Sequence, residues 1–277
     1  FEPTLGIVFV QPKNPNFFKQ AKTYRAPIKA TGKRLPYSLW LQDHPAPLIF
    51  IVPGVGSHRL TDSTVALAEM VFRNGFHAAI VSNALNWEFL EDASSIDVPG
   101  YPPADAREVY AALGSIHDDL ERRFPGRMTA HALLGLSLGG LHALWIAAQQ
   151  SRHDERELRF DRFVAIDPPT DMVHALRQID AYYNAPMAWP AAERVPRMQE
   201  TLLKAVTLTQ GNLTPSSSIP FNQTEAQFLI GLYFRYILRD IIYLSPVRRR
   251  VPDLPHGFGG LSRQRIYNRI MRYSYME

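Results

Sequence analysis

The chain has 277 residues, 46% of them hydrophobic, no cysteine and a formal net charge of +4. That length and apolar content suffice for a full-sized core in one domain with an insertion or appendage, and the lack of cysteine excludes disulfides, thiolate zinc sites and a cysteine nucleophile. The positive charge is confined to the tail, where seven arginines between Ser245 and Glu277 meet only Asp253 and Glu277; Arg248-Arg249-Arg250 reads as a solvated turn, so no nucleic-acid partner is expected.

Residues 1–22, rich in Pro, Asn and Lys, read as an extended arm that wraps the domain. Tyr24–Lys29 and Leu35–Leu41, joined through Thr31-Gly32-Lys33-Arg34, predict an antiparallel hairpin. Leu48–Val52 is an uninterrupted apolar run bounded by Pro47 and Pro53-Gly54, the pattern of a parallel strand buried on both faces. A helix follows, capped at Thr61 or Asp62, with Val65, Leu67, Ala68, Val71 and Phe72 on its apolar stripe and Asn74-Gly75 at its end. Phe76–Ser82 is the next strand, and an irregular stretch through Pro102-Pro103 leads to a helix over Ala104–Phe124. Thr129–Leu134 then predicts a strand, Gly139–Gln150 a helix and Phe160–Ile166 a strand. Strands alternating with helices imply right-handed crossovers and a mostly parallel sheet covered on both faces.

After Pro168-Pro169 the alternation stops. Helices are expected over 171–184, 190–208, 223–244 and 262–277, the last running to the chain end; Lys204–Thr209 would also suit a short strand. The apolar stretch Phe228–Leu244 is broken by Arg235, Arg239 and Asp240 and falls short of the ~20 residues that a membrane span needs. No transmembrane segment is expected. A chain that begins at Phe1 reads as a processed form or a fragment, which leaves its compartment open.

One motif carries chemistry. Gly135-Leu136-Ser137-Leu138-Gly139 matches G-x-S-x-G, with an apolar strand immediately before it and a small-residue helix immediately after. That is the setting of a nucleophile elbow, in which a strained turn lifts the serine hydroxyl above the sheet edge and glycines two residues away avoid collision. The bland alternative is a tight strand-to-helix turn whose serine only caps the helix. Pro53-Gly54-Val55-Gly56 lacks both the G-x-G-x-x-G spacing and the Lys-Ser/Thr pair of a phosphate loop, and no histidine pair has the H-E-x-x-H spacing. Neither a cofactor nor a metal is expected.

The elbow, the Pro53–Gly56 loop and the hairpin before it resemble the α/β-hydrolase superfamily over roughly residues 23–185. Gly135–Gly140 and Gly54–Leu60 are further similar to the serine-aminopeptidase-like and YheT-like esterases. The resemblance implies an α/β-hydrolase core over 23–170 and a mainly helical cap over 171–277 that ends before the last core strands. It also implies a serine hydrolase that cleaves a small-molecule ester or amide through an acyl-enzyme on Ser137. The backbone N–H groups of Leu138 and Val55 would then hold the oxyanion, although the family commonly has His-Gly where this chain has Pro53-Gly54.

A serine nucleophile needs a histidine base and a carboxylate to orient it, in the chain order serine, acid, histidine. Two arrangements are open. Either acid and histidine lie beyond Glu277, or the triad is completed in the chain by Asp167 or Asp171 at the exit of the Phe160–Ile166 strand and by His256 in Leu254-Pro255-His256-Gly257. Asp167 before two prolines also suits a turn, and Asp171 a helix start. A different class stays open beside the enzyme: a binding or scaffolding protein that keeps the elbow without a complete triad.

Overall fold

A computed structural model of the chain describes residues 10–96, 99–152, 158–210, 221–244, 258 and 260–276. The chain divides into two compact units, of which Val10–Thr170 makes up the body of one and Asp171–Asp240, with the last helix, the other. The first is built on a six-stranded sheet of order β1-β2-β4-β3-β5-β6. Its strands are β1 (Lys22–Pro27), β2 (Arg34–Trp40), β3 (Ala46–Val52), β4 (His77–Val81), β5 (Met128–Leu136) and β6 (Arg162–Ile166). Strand β2 runs against both β1 and β4, while β3, β4, β5 and β6 are mutually parallel. This is a mostly parallel sheet with an N-terminal antiparallel hairpin.

The parallel strands are continuous apolar runs because both of their faces are covered. On β3, Leu48, Phe50 and Val52 join Ala79 and Val81 of β4 and Leu133 of β5 in one core cluster. Ile51 joins Ala78, Ile80 and Leu134 in the cluster on the opposite face. Side chains alternate between faces along a strand, so a stretch without polar residues is what a doubly covered strand requires. Fully burying Phe50 alone is worth about 3 kcal/mol.

Helix α1 (Asp62–Arg73) places Val65, Ala68 and Val71 in the second of these clusters. Helices α3 (Pro102–Arg123) and α4 (Leu138–Gln150) fill the first, through Val109, Leu113, Ile116, Ala143 and Ile146. Between α1 and α3 the chain forms a short helix, α2 (Trp87–Asp92), where the sequence reads as irregular. Its N-cap, Asn86, accepts the Glu88 N–H on its side chain. Six residues carry too little periodicity to register as a helix without that cap. Thr61 does occupy the N-cap of α1, but its side chain makes no capping bond; Oγ1 accepts the N–H of His58 instead.

The arm is less extended than expected. Phe17–Gln20 forms a 3-10 turn, and the buried Phe17 ring stacks on Trp40 at 5.3 Å. Glu69 of α1 accepts the Asn14 N–H at 3.1 Å, so this part of the arm is tied to the domain.

The second unit is helical, with α5 (Met172–Tyr183), α6 (Arg194–Gln210), α7 (Gln223–Ile242) and α8 (Arg263–Ile270). Residues 204–209 are helix, not strand, and α8 ends at Ile270 rather than continuing to the terminus. The backbones of α5 and α7 meet closely: a side chain at Gly231 would stand 2.1 Å from the Tyr183 N. Arg235 pairs with Asp180 at 3.1 Å and lies over the Tyr183 ring at 4.3 Å. The same carboxylate accepts the N–H groups of Tyr275 and Met276, which fastens the last residues to α5. No described helix is long and apolar enough to cross a membrane.

Candidate active site

Ser137 is the single residue between the end of β5 and the start of α4. Its backbone has φ 52° and ψ −120°, left-handed for a residue with a side chain. Such a conformation costs on the order of 1–3 kcal/mol and persists only where its surroundings enforce it. The enforcement is visible. The Ser137 N–H donates to Ile166 O on β6 at 2.8 Å, and its carbonyl accepts the Leu141 N–H of the first helical turn at 3.0 Å. Strand and helix close on each other so tightly that a Cβ at Gly135 would lie 2.1 Å from Gly139 O, and one at Gly139 would lie 2.1 Å from Val52 O. Both glycines of the motif are therefore demanded by packing. Ser137 itself is half-buried, and among the described residues its Oγ has no hydrogen-bond partner.

The loop after β3 lies beside it. A Cβ placed on Gly54 would be 3.4 Å from Ser137 Cβ and 3.8 Å from its Oγ. The carbonyls of this loop are turned away and engaged: Pro53 O accepts Asn83 Nδ2 at 2.8 Å, Gly56 O accepts Asn86 Nδ2 at 2.8 Å, and Gly54 O accepts the Ser57 N–H at 3.1 Å. The Ser57 carbonyl in turn accepts the Asn83 N–H at 3.0 Å. Neither the Val55 N–H nor the Leu138 N–H has an acceptor among the described residues. A loop whose carbonyls are held by a neighbour keeps its amides oriented without reorganisation, which is what an oxyanion needs.

Those neighbours are Asn83 and Asn86, and Asn86 Oδ1, which accepts the Glu88 N–H at 3.0 Å, joins them to a buried polar network that the sequence reading passed over. Arg59 Nε pairs with Glu88 Oε2 at 3.1 Å, and Arg59 Nη1 donates to Ser38 Oγ at 2.7 Å and Thr23 Oγ1 at 3.2 Å. Ser82 Oγ donates to Glu88 Oε2 at 2.6 Å and accepts the Arg59 N–H at 3.0 Å. His58 takes the Leu60 N–H on Nδ1 at 3.1 Å, which leaves the proton on Nε2 to face Glu88 Oε1 at 3.3 Å; its ring stacks on Trp87. Burial pushes the Glu88 carboxyl upward, but the hydrogen bonds from His58 and Ser82 and the Arg59 charge outweigh it, so the acid sits below its usual value. The partners are separated by 29 residues in the chain, and no local pattern marks them.

Of the acid and base candidates, the described residues place the two acids. Asp167 follows Ile166, the residue that accepts the Ser137 N–H, so it lies at the same sheet edge. Its own φ is 46°, the second left-handed non-glycine among the described residues, and its exposed carboxylate makes no hydrogen bond there. Asp171 belongs to the helical unit and caps α5, accepting the His174 N–H at 2.9 Å. His256 lies outside the described residues. His142, one turn into α4, is fully buried with both ring nitrogens unpartnered, and burial lowers it to about 4. No described histidine is hydrogen-bonded to Ser137.

No family model matches the sequence, and no curated protein matches it. Solved structures are similar at low identity. Est1E from Butyrivibrio proteoclasticus is 15% identical, over 56% of this chain and 55% of that one, with a TM-score of 0.39. The Pyrococcus furiosus esterase Pf2001 is 14% identical, over 67% of this chain and 62% of that one, with a TM-score of 0.45. DcsB in complex with its substrate analogue is 17% identical, over 73% and 57%, with a TM-score of 0.39. The chain thus spans less than two thirds of the length of each. The strand order, with its serine at the β5–α4 turn, is the arrangement expected of an α/β-hydrolase fold.

Proposed function

We propose that this chain carries the nucleophile and oxyanion site of a serine hydrolase acting on a carboxylic ester or amide. The observation that carries the reading is the left-handed backbone of Ser137, held at the sheet edge with its hydroxyl unengaged. A serine that only capped a helix would have ordinary extended dihedrals and a side-chain bond to the first turn; this one has neither.

In this reading Ser137 Oγ attacks the carbonyl carbon while an imidazole takes its proton. The carbonyl oxygen becomes an oxyanion held by the Leu138 and Val55 N–H groups, and collapse expels the alcohol or amine with that proton. Water repeats the sequence on the acyl-serine and releases the acid. The in-chain candidates for the acid are Asp167, at the sheet edge, and Asp171, and for the base His256; acid and base beyond Glu277 are the other arrangement.

A fluorophosphonate probe tests the proposal on the folded full-length protein. The expected result is one covalent adduct at Ser137 that Ser137→Ala abolishes. A folded protein that stays unlabelled overturns it and leaves the second reading, a binding protein on the same fold. That reading draws on the lack of any described imidazole at the serine. With p-nitrophenyl esters, His256→Ala separates the two sources of the base: loss of turnover places it in this chain, and unchanged turnover places it elsewhere.

A further inference from the structure

At the other end of β5 the fold assembles three ligand-type side chains that no motif announces. His117 and Glu121 stand one turn apart on α3, and His131 lies on β5. One donor atom from each lies within 4.8 Å of the other two, the one such group among the described residues. The His117 and His131 rings meet edge to face at 4.8 Å between centroids.

Two further features show a built arrangement. The His131 strand position is locked by reciprocal bonds with Asp161: the His131 N–H donates to Asp161 Oδ2 at 2.9 Å, and the Asp161 N–H to His131 O at 2.8 Å. Its ring stacks on Phe50, and its Nε2 is buried without a hydrogen-bond partner. A buried imidazole nitrogen with no partner is uncommon, because such a group loses its hydration for nothing. His117 Nδ1 lies 3.6 Å from Asp118 Oδ1, outside hydrogen-bond range.

We propose that His117, Glu121 and His131 form a binding site for a divalent transition metal, with zinc as the ion that suits two imidazoles and one carboxylate. Around a tetrahedral ion with bonds of about 2.0–2.2 Å the donors stand roughly 3.4 Å apart, so modest torsions of His117 and Glu121 close the site and leave a fourth position to water. Ser137 lies six positions beyond His131, roughly 20 Å along the strand. The ion would therefore tie α3 to the sheet and take no part at the nucleophile.

The test is a zinc titration of chelator-stripped protein by calorimetry, repeated with cobalt to read ligand-field absorption. The expected result is one saturable ion per chain, with the melting temperature rising as zinc is added. His117→Asn and Glu121→Gln should each weaken binding by more than about tenfold. The exposed His44→Asn and the Ser137→Ala variant should bind as the parent does. These variants avoid the half-buried His131, so a folding defect does not decide the outcome; metal-free melting confirms that each is folded. A parent without a saturable site, or His117→Asn and Glu121→Gln proteins that bind as tightly as the parent, overturns the proposal.

Discussion

At the scale of single residues, Ser137 holds a conformation that favours glycine and yet keeps a side chain. The strain predicts a separation of stability from activity. Ser137→Gly should be more stable than Ser137→Ala by about 1 kcal/mol in chemical unfolding, because both lack the hydroxyl but only glycine relaxes the left-handed φ. Equal stabilities would mean that the turn is not strained. The reverse logic applies to Glu88. Its removal strands Arg59 in the interior, so Glu88→Ala should cost about 3–5 kcal/mol and loosen the Pro53–Ser57 loop, read as hydrogen exchange of the Ser57 amide, which donates to Gly54 O. The sequence exposes one of these residues and hides the other. Ser137 is legible because close packing forces glycines two positions either side of it. Glu88 is a surface-type residue in a short helix, and nothing within a few positions shows that Arg59 and Ser82 converge on it. The proposed metal ligands are hidden for the same reason, since His131 reaches α3 only through the sheet.

Elements are legible in proportion to how much of their pattern is local. The doubly covered β3 reads as a strand because every position is apolar, and α3 reads as a helix because its stripe repeats over 22 residues. By contrast α2 depends on Asn86, and the end of α8 at Ile270 has no glycine or proline to mark it. Helix α3 also carries a buried cost in its first turn. Asp105 is 2% exposed, and among the described residues its carboxylate accepts one hydrogen bond, from the Gly100 N–H at 3.0 Å. Burial raises its carboxyl to about 6, partly offset by that bond. An acid whose folded value lies above its unfolded one makes the native state bind the extra proton between about pH 4 and 6, so its contribution to stability declines as pH rises through that window. Asp105→Asn keeps an acceptor for Gly100 and should stabilise the protein at pH 7.5, on the order of 2 kcal/mol, with no gain at pH 4. Urea midpoints at the two pH values check this, and a gain that does not depend on pH would assign the effect to packing.

For the molecule as a whole, the buried histidines set the response to acid. His142 is enclosed with no partner for either nitrogen, and burial lowers it to about 4. His77 accepts the Gln42 N–H on Nδ1 and faces Arg127 O with Nε2; burial again lowers it, the Arg127 carbonyl bond works the other way, and the charges of Arg127 and His44 add to the lowering. For both groups the unfolded chain takes up protons near pH 6.5 that the native state refuses. Their contribution is therefore complete above that pH and is lost as pH falls, for His142 down to about 4. For His142 the loss is about 3 kcal/mol, a large share of the 5–15 kcal/mol that holds a typical domain together. Asp105 acts in the opposite sense over part of the same range, so the clean measurement compares Asp105→Asn with Asp105→Asn/His142→Leu. The single variant should lose stability steeply between pH 7 and 5. The double variant, with an apolar side chain of similar volume in place of the unpartnered ring, should show a shallower loss and take up about one proton fewer on unfolding at pH 5.2. If the two lose stability alike, His142 is not the group that refuses the proton, and the acid response belongs to His77 and the remaining histidines.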